Sequence, residues 1–368
     1  MSSFDATSLK WNFWMKRALK LASLAEGETS PNPLVGAVIL DENHDLVGEG
    51  FHSKAGAAHA EINALSQAGL KAKGGTLVIN LEPCCHRGKT PPCTESILRA
   101  GIKKVVVAIK DPDPRVSGNG IQMLREAGLE VICGTLEQDA LNLNRAFIFR
   151  ISKKRPFGIL KWAMSFDGRT ALANGQSKWI SSKESRNRTH LLRSKSDAVI
   201  VGGGTVRSDD PLLTSRGLSS QEPLRVVLTK SFELPSNAQL WQTSIANTIV
   251  AYGGNIFNKK ICKLPEGVET KEISPLNPLS LMNFLELKGC NQVLWECGPK
   301  LAAEAIKMNC VQELSIFLAP KLLGGMPLGG ALGDMSIQSM TNVIPLTSET
   351  IESVGSDWLL TSSLAPKD

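Results

Sequence analysis

A histidine, a carboxylate and two thiols follow one another as His59-Ala60-Glu61, then Pro83-Cys84, then Cys93. If they form one site, the chain must fold back twice within about thirty-five residues to gather them, and the local pattern shows how. His59 to Leu65 reads as the first turns of a helix ending near Gly69, and Thr76-Leu77-Val78-Ile79-Asn80-Leu81 is an apolar run of strand length. Cys93-Thr94-Glu95-Ser96 opens a further helix that stops at Gly101. A strand therefore delivers Cys84 to a turn between two helix starts, where the dipole favours thiolates. One imidazole and two thiolates make three ligands for Zn²⁺ and leave the fourth tetrahedral position to water, the arrangement of a catalytic site. Glu61, two residues past the histidine, lies beside such a metal and is free to carry protons. The plain alternative is an ordinary polar histidine and two core cysteines. It accounts for each residue singly, but not for their order or for the proline before Cys84.

The order corresponds to the H-x-E…P-C-x-x-C pattern of zinc nucleobase deaminases, with eight residues instead of two between the cysteines. Cys85, Cys133, Cys262, Cys290, Cys297 and Cys310 show no such grouping and read as buried free thiols. Cys85 and His86 stand as substitute ligands only if Cys84 and Cys93 do not fill the pattern.

A chain of 368 residues exceeds one ordinary core, so two domains are expected. No apolar run is long enough to cross a bilayer, and residues 1–10 lack the features of a signal peptide. The scattered cysteines suit a reducing compartment, so the expected location is cytoplasmic, with no membrane partner. The net charge of +6 is mild: it suits a phosphorylated small molecule and falls short of a nucleic-acid surface.

Residues 10 to about 146 alternate helix and strand: a helix at 13–25, strands at 34–40 and 45–50, the segments around the cysteines, a strand at 104–109, a helix near 121–127 and a strand at 130–133. That succession predicts a mixed sheet with helices on both faces. Arg150 to Pro156, polar and basic, reads as the linker. The second half restarts with a strand at 157–161, a helix at 183–194 and further strands at 198–201, 225–228, 248–252, 292–296 and 313–318. Gly202-Gly203-Gly204-Thr205 ends one strand, and Glu296-Cys297-Gly298-Pro299 joins another to a helix N-terminus, where amide groups suit an anion. Neither turn fits G-x-G-x-x-G, which excludes a Rossmann fingerprint.

With these residues in view, the chain resembles the bifunctional riboflavin-biosynthesis deaminase-reductases over nearly its whole length. In the first half the resemblance rests on Pro31-Asn32-Pro33-Leu34-Val35-Gly36, Gly50-Phe51-His52, His59-Ala60-Glu61, and Leu81-Glu82-Pro83-Cys84 through Gly88-Lys89-Thr90-Pro91-Pro92-Cys93. In the second it rests on Lys161, Ser165 to Ala171, Trp179-Ile180-Ser181, Leu191-Leu192-Arg193, Gly204-Thr205-Val206, Asp209-Asp210-Pro211 and Ala319 to Gly324. The family shares the wide thiol spacing. The resemblance implies a cytidine-deaminase-like α/β/α sandwich over residues 1–148 and a dihydrofolate-reductase-like α/β domain over 155–368. It further implies zinc-dependent deamination of 2,5-diamino-6-(5-phosphoribosylamino)pyrimidin-4-one, then reduction of the ribosyl chain to ribityl with NADPH.

By the same resemblance zinc is held by His59, Cys84 and Cys93, with Glu61 as proton carrier, while Asn32, His52 and Lys89 contact substrate. Asn32 offers donor and acceptor to a pyrimidine edge and Lys89 suits a phosphate; a turn residue and a solvated lysine are the plain alternatives. In the reductase, Lys161, Ser177, Arg193, Leu213, Arg216 and Glu296 match substrate positions, the two arginines suiting a phosphate by their forked guanidinium. Ala163, Trp179, Thr205, Asp209 and the Gly298-Pro299-Lys300-Leu301 turn match cofactor positions. One departure stands out: where the family often has Asp-Ser after a strand, this chain has Thr229-Lys230-Ser231. Lys230 then either meets the 2′-phosphate of NADPH or marks a weakened site. Two rival readings stay open at this stage, a deaminase acting on tRNA and a deaminase carrying a degenerate reductase-like module. Homo-oligomerisation is also left open.

Overall fold

The computed structural model describes residues 3–86, 91–254, 264–325 and 330–364. The chain divides into two compact units, Met1–Lys153 and Lys154–Asp368. Among the described residues no helix is long and apolar enough to cross a membrane.

The first unit runs α1 (Ser3–Ser23), β1 (Gly36–Leu40), β2 (Leu46–Phe51), α2 (Ala60–Ala68), β3 (Thr76–Leu81), α3 (Cys93–Arg99), β4 (Lys104–Ile109), α4 (Asn119–Glu126), β5 (Glu130–Cys133), α5 (Glu137–Leu143) and α6 (Arg145–Lys153). Its sheet has the order β2-β1-β3-β4-β5, antiparallel through β2, β1 and β3 and parallel from β3 to β5. Every residue of β1 and β3 is buried, because both faces are covered and successive side chains alternate between them. Ala37, Ile39, Leu77, Ile79, Val105 and Val107 meet Ala60 and Ala64 of α2, Ile97 of α3 and Leu124 of α4. Val38, Leu40, Val78 and Val106 meet Met15, Ala18 and Leu21 of α1 and Ala140 of α5. A Cβ on Gly50 would lie 2.7 Å from the backbone nitrogen of Ala64. Glycine there lets α2 rest directly on β2, which fixes where the helix begins.

The basic stretch expected as a linker is partly helix: Arg150 to Lys153 form the last turn of α6. Phe147 is buried and Ile148 packs on the core, and this apolar face carries the helix through the charged residues.

The second unit runs β6 (Phe157–Ser165), α7 (Lys183–Ser194), β7 (Ala198–Gly202), α8 (Gly203–Asp209), β8 (Leu224–Thr229), β9 (Thr248–Tyr252), β10 (Glu269–Glu272), α9 (Pro278–Leu287), β11 (Gln292–Trp295), α10 (Pro299–Lys307), β12 (Glu313–Ala319), β13 (Leu346–Val354) and β14 (Asp357–Leu364). Its sheet has the order β10-β9-β8-β7-β11-β6-β12-β14-β13. Strands β10 to β12 are parallel, and β14 and β13 add on antiparallel. The chain winds outward from β7 to β10, and β11 then returns between β6 and β7. Such a reversal opens a crevice at the carboxyl ends of the strands, where α/β sheets bind ligands.

Candidate active sites

In the first unit the two helix starts and the end of β3 converge as the spacing requires. His59 is the N-cap residue of α2, and Cys93 is the first residue of α3. Cys84 follows β3 after Glu82 and Pro83. The Nδ1 of His59 lies 3.2 Å from Cys93 Sγ and 3.7 Å from Cys84 Sγ, and the three ligand atoms all fall within 4.8 Å of one another. Tetrahedral zinc with ordinary Zn–N and Zn–S lengths spaces such atoms about 3.5–3.8 Å apart, so the donor set and its spacing fit that ion. Among the described residues no other His, Cys, Asp or Glu joins the group. Cys85 is directed instead to the Arg115 carbonyl at 4.0 Å, which sets aside its part as a substitute ligand.

Hydrogen bonding from Cys93, and then from His59, holds the Cys84 thiol well below its ordinary value. The same contact with Cys84, together with burial, drives Cys93 upward. Burial in turn pushes the Glu61 carboxyl up to about 7. A divalent cation beside these groups favours the deprotonated thiols and works against the rise at Glu61.

Four buried polar residues build the walls. His52 donates from Nδ1 to the Ala58 carbonyl at 3.1 Å, so its Nε2 accepts from Asn32 Nδ2 at 2.9 Å. Burial lowers the His52 pKa, consistent with that neutral tautomer. Asn80 and Asn144 hold the strand entry beside Asn32: Asn80 accepts from Gly36 N, Asn144 accepts from Leu34 N, and both donate to the Leu34 carbonyl. Glu82 accepts from the backbone N–H groups of Asp111, Gly118 and Ile121, which ties Pro83-Cys84 to the start of α4. Lys89 lies outside the described residues.

In the second unit an open cleft of about 1210 Å³ covers the carboxyl ends of the central strands. It gathers Lys161, Ser177, Arg193, Leu213, Arg216 and Glu296, and also Ala163, Trp179, Thr205, Asp209, Gly298, Pro299, Lys300 and Leu301. At its centre Arg193 grips Glu296 with Nε–Oε1 at 2.6 Å and Nη2–Oε2 at 3.0 Å. Lys161 stands 4.0 Å from the same carboxylate. Burial lowers the Lys161 pKa. Burial also acts against the Glu296 charge, yet Arg193 and Lys161 carry its pKa below the ordinary value. The Arg193 fork is thus engaged inside the protein, and its Nη1 donates to the Thr214 carbonyl as well. Of the two arginines expected at a phosphate, Arg216 is the exposed one.

Another part of the cleft lining is rich in glycine. A Cβ on Gly202, Gly204 or Gly298 would meet nothing closer than 3.5 Å, so packing does not require glycine at these cleft positions; their backbones are left open to a ligand. Gly298 is the N-cap of α10, with Pro299 at N1, the start of a helix that favours phosphate. Trp179 exposes its ring and carries the Arg186 guanidinium 4.5 Å from its centroid. At the departure from the family pattern, Thr229 is buried and accepts from Phe232 N. Lys230 lines the cleft and pairs with Glu304 at 3.5 Å.

Comparison with known proteins agrees with both halves. Residues 10–109 match the cytidine and deoxycytidylate deaminase zinc-binding region, and residues 156–360 match the RibD C-terminal domain. The riboflavin biosynthesis protein RibD of Synechocystis sp. is 49% identical, over 96% of this chain and 96% of its own. A solved diaminohydroxyphosphoribosylaminopyrimidine deaminase/5-amino-6-(5-phosphoribosylamino)uracil reductase from Thermotoga maritima is 34% identical with a TM-score of 0.87, covering 98% of this chain and 100% of that one. RibD of Acinetobacter baumannii is 35% identical with a TM-score of 0.85 at the same coverage. The chain belongs to the RibD family of bifunctional deaminase-reductases, with a deaminase-like α/β unit followed by a reductase-like α/β unit.

Proposed function

We propose that the unit Met1–Lys153 deaminates 2,5-diamino-6-(5-phosphoribosylamino)pyrimidin-4-one with zinc held by His59, Cys84 and Cys93. The unit Lys154–Asp368 then reduces the resulting phosphoribosylaminouracil to its ribityl form with NADPH. The observation that carries the first assignment is the one-imidazole, two-thiol cluster beside a buried carboxylate. The second is carried by one cleft with an ionic floor and a glycine-bearing wall.

Bound at the first cluster, zinc supplies the Lewis acidity that makes a water deprotonable near neutral pH. Glu61, buried two residues from His59, takes the proton from that water as the water oxygen bonds to the amine-bearing carbon, and returns it to the departing amine. The His52 contact orients the Asn32 amide, so Asn32 reads one edge of the pyrimidine. In the second unit NADPH supplies the hydride. Opening the sugar ring adds that hydride at the anomeric carbon and a proton at the ring oxygen, and we assign the proton to Lys161. Glu296 orients Lys161, and Arg216 binds the substrate phosphate by charge-assisted hydrogen bonds.

Incubating purified protein with the diaminopyrimidine phosphate, with and without NADPH, tests both assignments. Ammonia appears in either case, and NADPH is consumed only after deamination. Ammonia release without NADPH oxidation would favour the degenerate-module reading of the second unit.

A further inference from the structure

Three non-glycine residues in the loop after α8 adopt left-handed backbone conformations: Asp210 at φ 42°, Leu213 at φ 56° and Arg216 at φ 61°. Side chains with a Cβ avoid that region, so the loop keeps this shape only because its surroundings impose it. The restraints fall on these three residues and their neighbours, Gln239 Nε2 donating to the Asp210 carbonyl at 2.6 Å. Arg225, fully buried, donates to the Leu212 carbonyl at 3.3 Å. His190 and Arg193 of α7 both donate to the Thr214 carbonyl, at 3.2 and 3.1 Å. Glu222 then accepts from Ser215 N at 2.5 Å and from Gly217 N at 3.3 Å. The two oxygens of one carboxylate thus take the amides on either side of Arg216.

We infer that Glu222 is a positioning residue of the reductase site, bracketing Arg216 so that its guanidinium is held toward the cleft that receives the substrate phosphate. Glu222 does not touch the ligand. It fixes the backbone of the residue that does, and so reduces the ordering that binding would otherwise demand. An Arg216 released to extended backbone would point elsewhere at each visit to the site. The inference rests on the proposed reading of Arg216 as the phosphate ligand.

Reductase kinetics on the deaminated phosphoribosylaminouracil, at saturating NADPH, test the inference in a double-mutant cycle. Arg216→Ala is expected to raise the substrate KM about 10–100-fold, the range of one charged hydrogen bond or a fork. Glu222→Ala is expected to raise the same KM about tenfold with kcat within about twofold, and to add nothing in the Arg216→Ala background. Glu222→Gln keeps one acceptor oxygen and falls between wild type and Glu222→Ala; it decides the matter if the alanine variant does not fold. A raised KM in Arg216→Ala with wild-type KM in the folded Glu222 variants overturns the inference and leaves the phosphate reading standing. Additive effects in the double variant, or a fall in kcat without change in KM, also overturn it. An unchanged KM in Arg216→Ala removes the phosphate reading and the inference together.

Discussion

Arg193 and Glu296 are joined end to end across 103 residues of sequence, guanidinium fork to carboxylate, at 2.6 and 3.0 Å. Their side chains are only 13% and 11% exposed. Removing one partner of a buried pair strands the other charge, at a cost of about 3–5 kcal/mol. Arg193→Ala is therefore expected to lower the melting temperature of the reductase unit and to reduce kcat, since Lys161 loses its ordered neighbour. Arg193→Lys is expected to recover little, because a point charge cannot reproduce the fork. Thermal unfolding alongside reductase kinetics checks this. A variant of wild-type stability whose only defect is a high substrate KM would show that Arg193 serves as a phosphate ligand instead.

At the deaminase cluster the ligands and the proton carrier should separate by mutation. Cys84→Ser or Cys93→Ser is expected to lose most of a stoichiometric zinc, seen by elemental analysis. Glu61→Gln is expected to retain the metal and lose deamination by about 10²–10⁴-fold, the span of general acid–base catalysis. Active wild-type protein free of zinc, or a Glu61→Gln variant with normal ammonia release, would remove that residue set from the mechanism.

The cluster was legible in the sequence because each element carrying it has a local signature. His59 and Cys93 begin helices, and an apolar strand leads to Cys84. The reductase residues were reached by resemblance, since an isolated arginine or lysine has no spacing to mark it. What Arg193 does there could not be read, because its partner is fixed only by the adjacency of α7 and the end of β11. Glu222 was hidden for another reason: its bonds depend on a left-handed Arg216, which no residue pattern announces. Strand β10, Glu269–Glu272, is exposed at every position and shows no apolar alternation. Helix α9, by contrast, has a signal that could have found it: Asn277 caps Ser280 N and Pro278 opens the first turn.

Lys230 tests whether the departure from the family pattern supports or weakens cofactor binding. It is exposed at the cleft rim, held 3.5 Å from Glu304 on α10, the helix that begins at the glycine-bearing turn. If Lys230 meets the 2′-phosphate, Lys230→Ala weakens NADPH binding about tenfold or more, one charge-assisted contact at about 1.4 kcal/mol per tenfold. Binding of NADH, which lacks that phosphate, is expected to stay within about twofold. Fluorescence titration with both nucleotides measures the two affinities directly. Equal losses for NADPH and NADH would mean that Lys230 only packs the rim, and no change would make it a solvated lysine.

Asp167 is expected to give the second unit an acid sensitivity. Its carboxylate accepts from Ser165 Oγ at 2.5 Å, Gly324 N at 2.7 Å and Leu323 N at 3.1 Å, tying the turn after β6 to the segment after β12. Those bonds, the Ser165 hydroxyl first, hold its pKa down at about 2. The unfolded chain releases the same proton near about 3.9. A folded-state pKa below the unfolded one contributes stability that is complete above the unfolded value. It is lost as pH falls toward the folded one. Asp167→Asn is therefore expected to lower the melting temperature at neutral pH, because one donor must then face an amide nitrogen. The gap from wild type should narrow between about pH 4 and about pH 2. Melting curves of both proteins across that range measure the difference. A gap that stays constant with pH would mean that the carboxylate's charge contributes nothing and that Asp167 acts through shape alone.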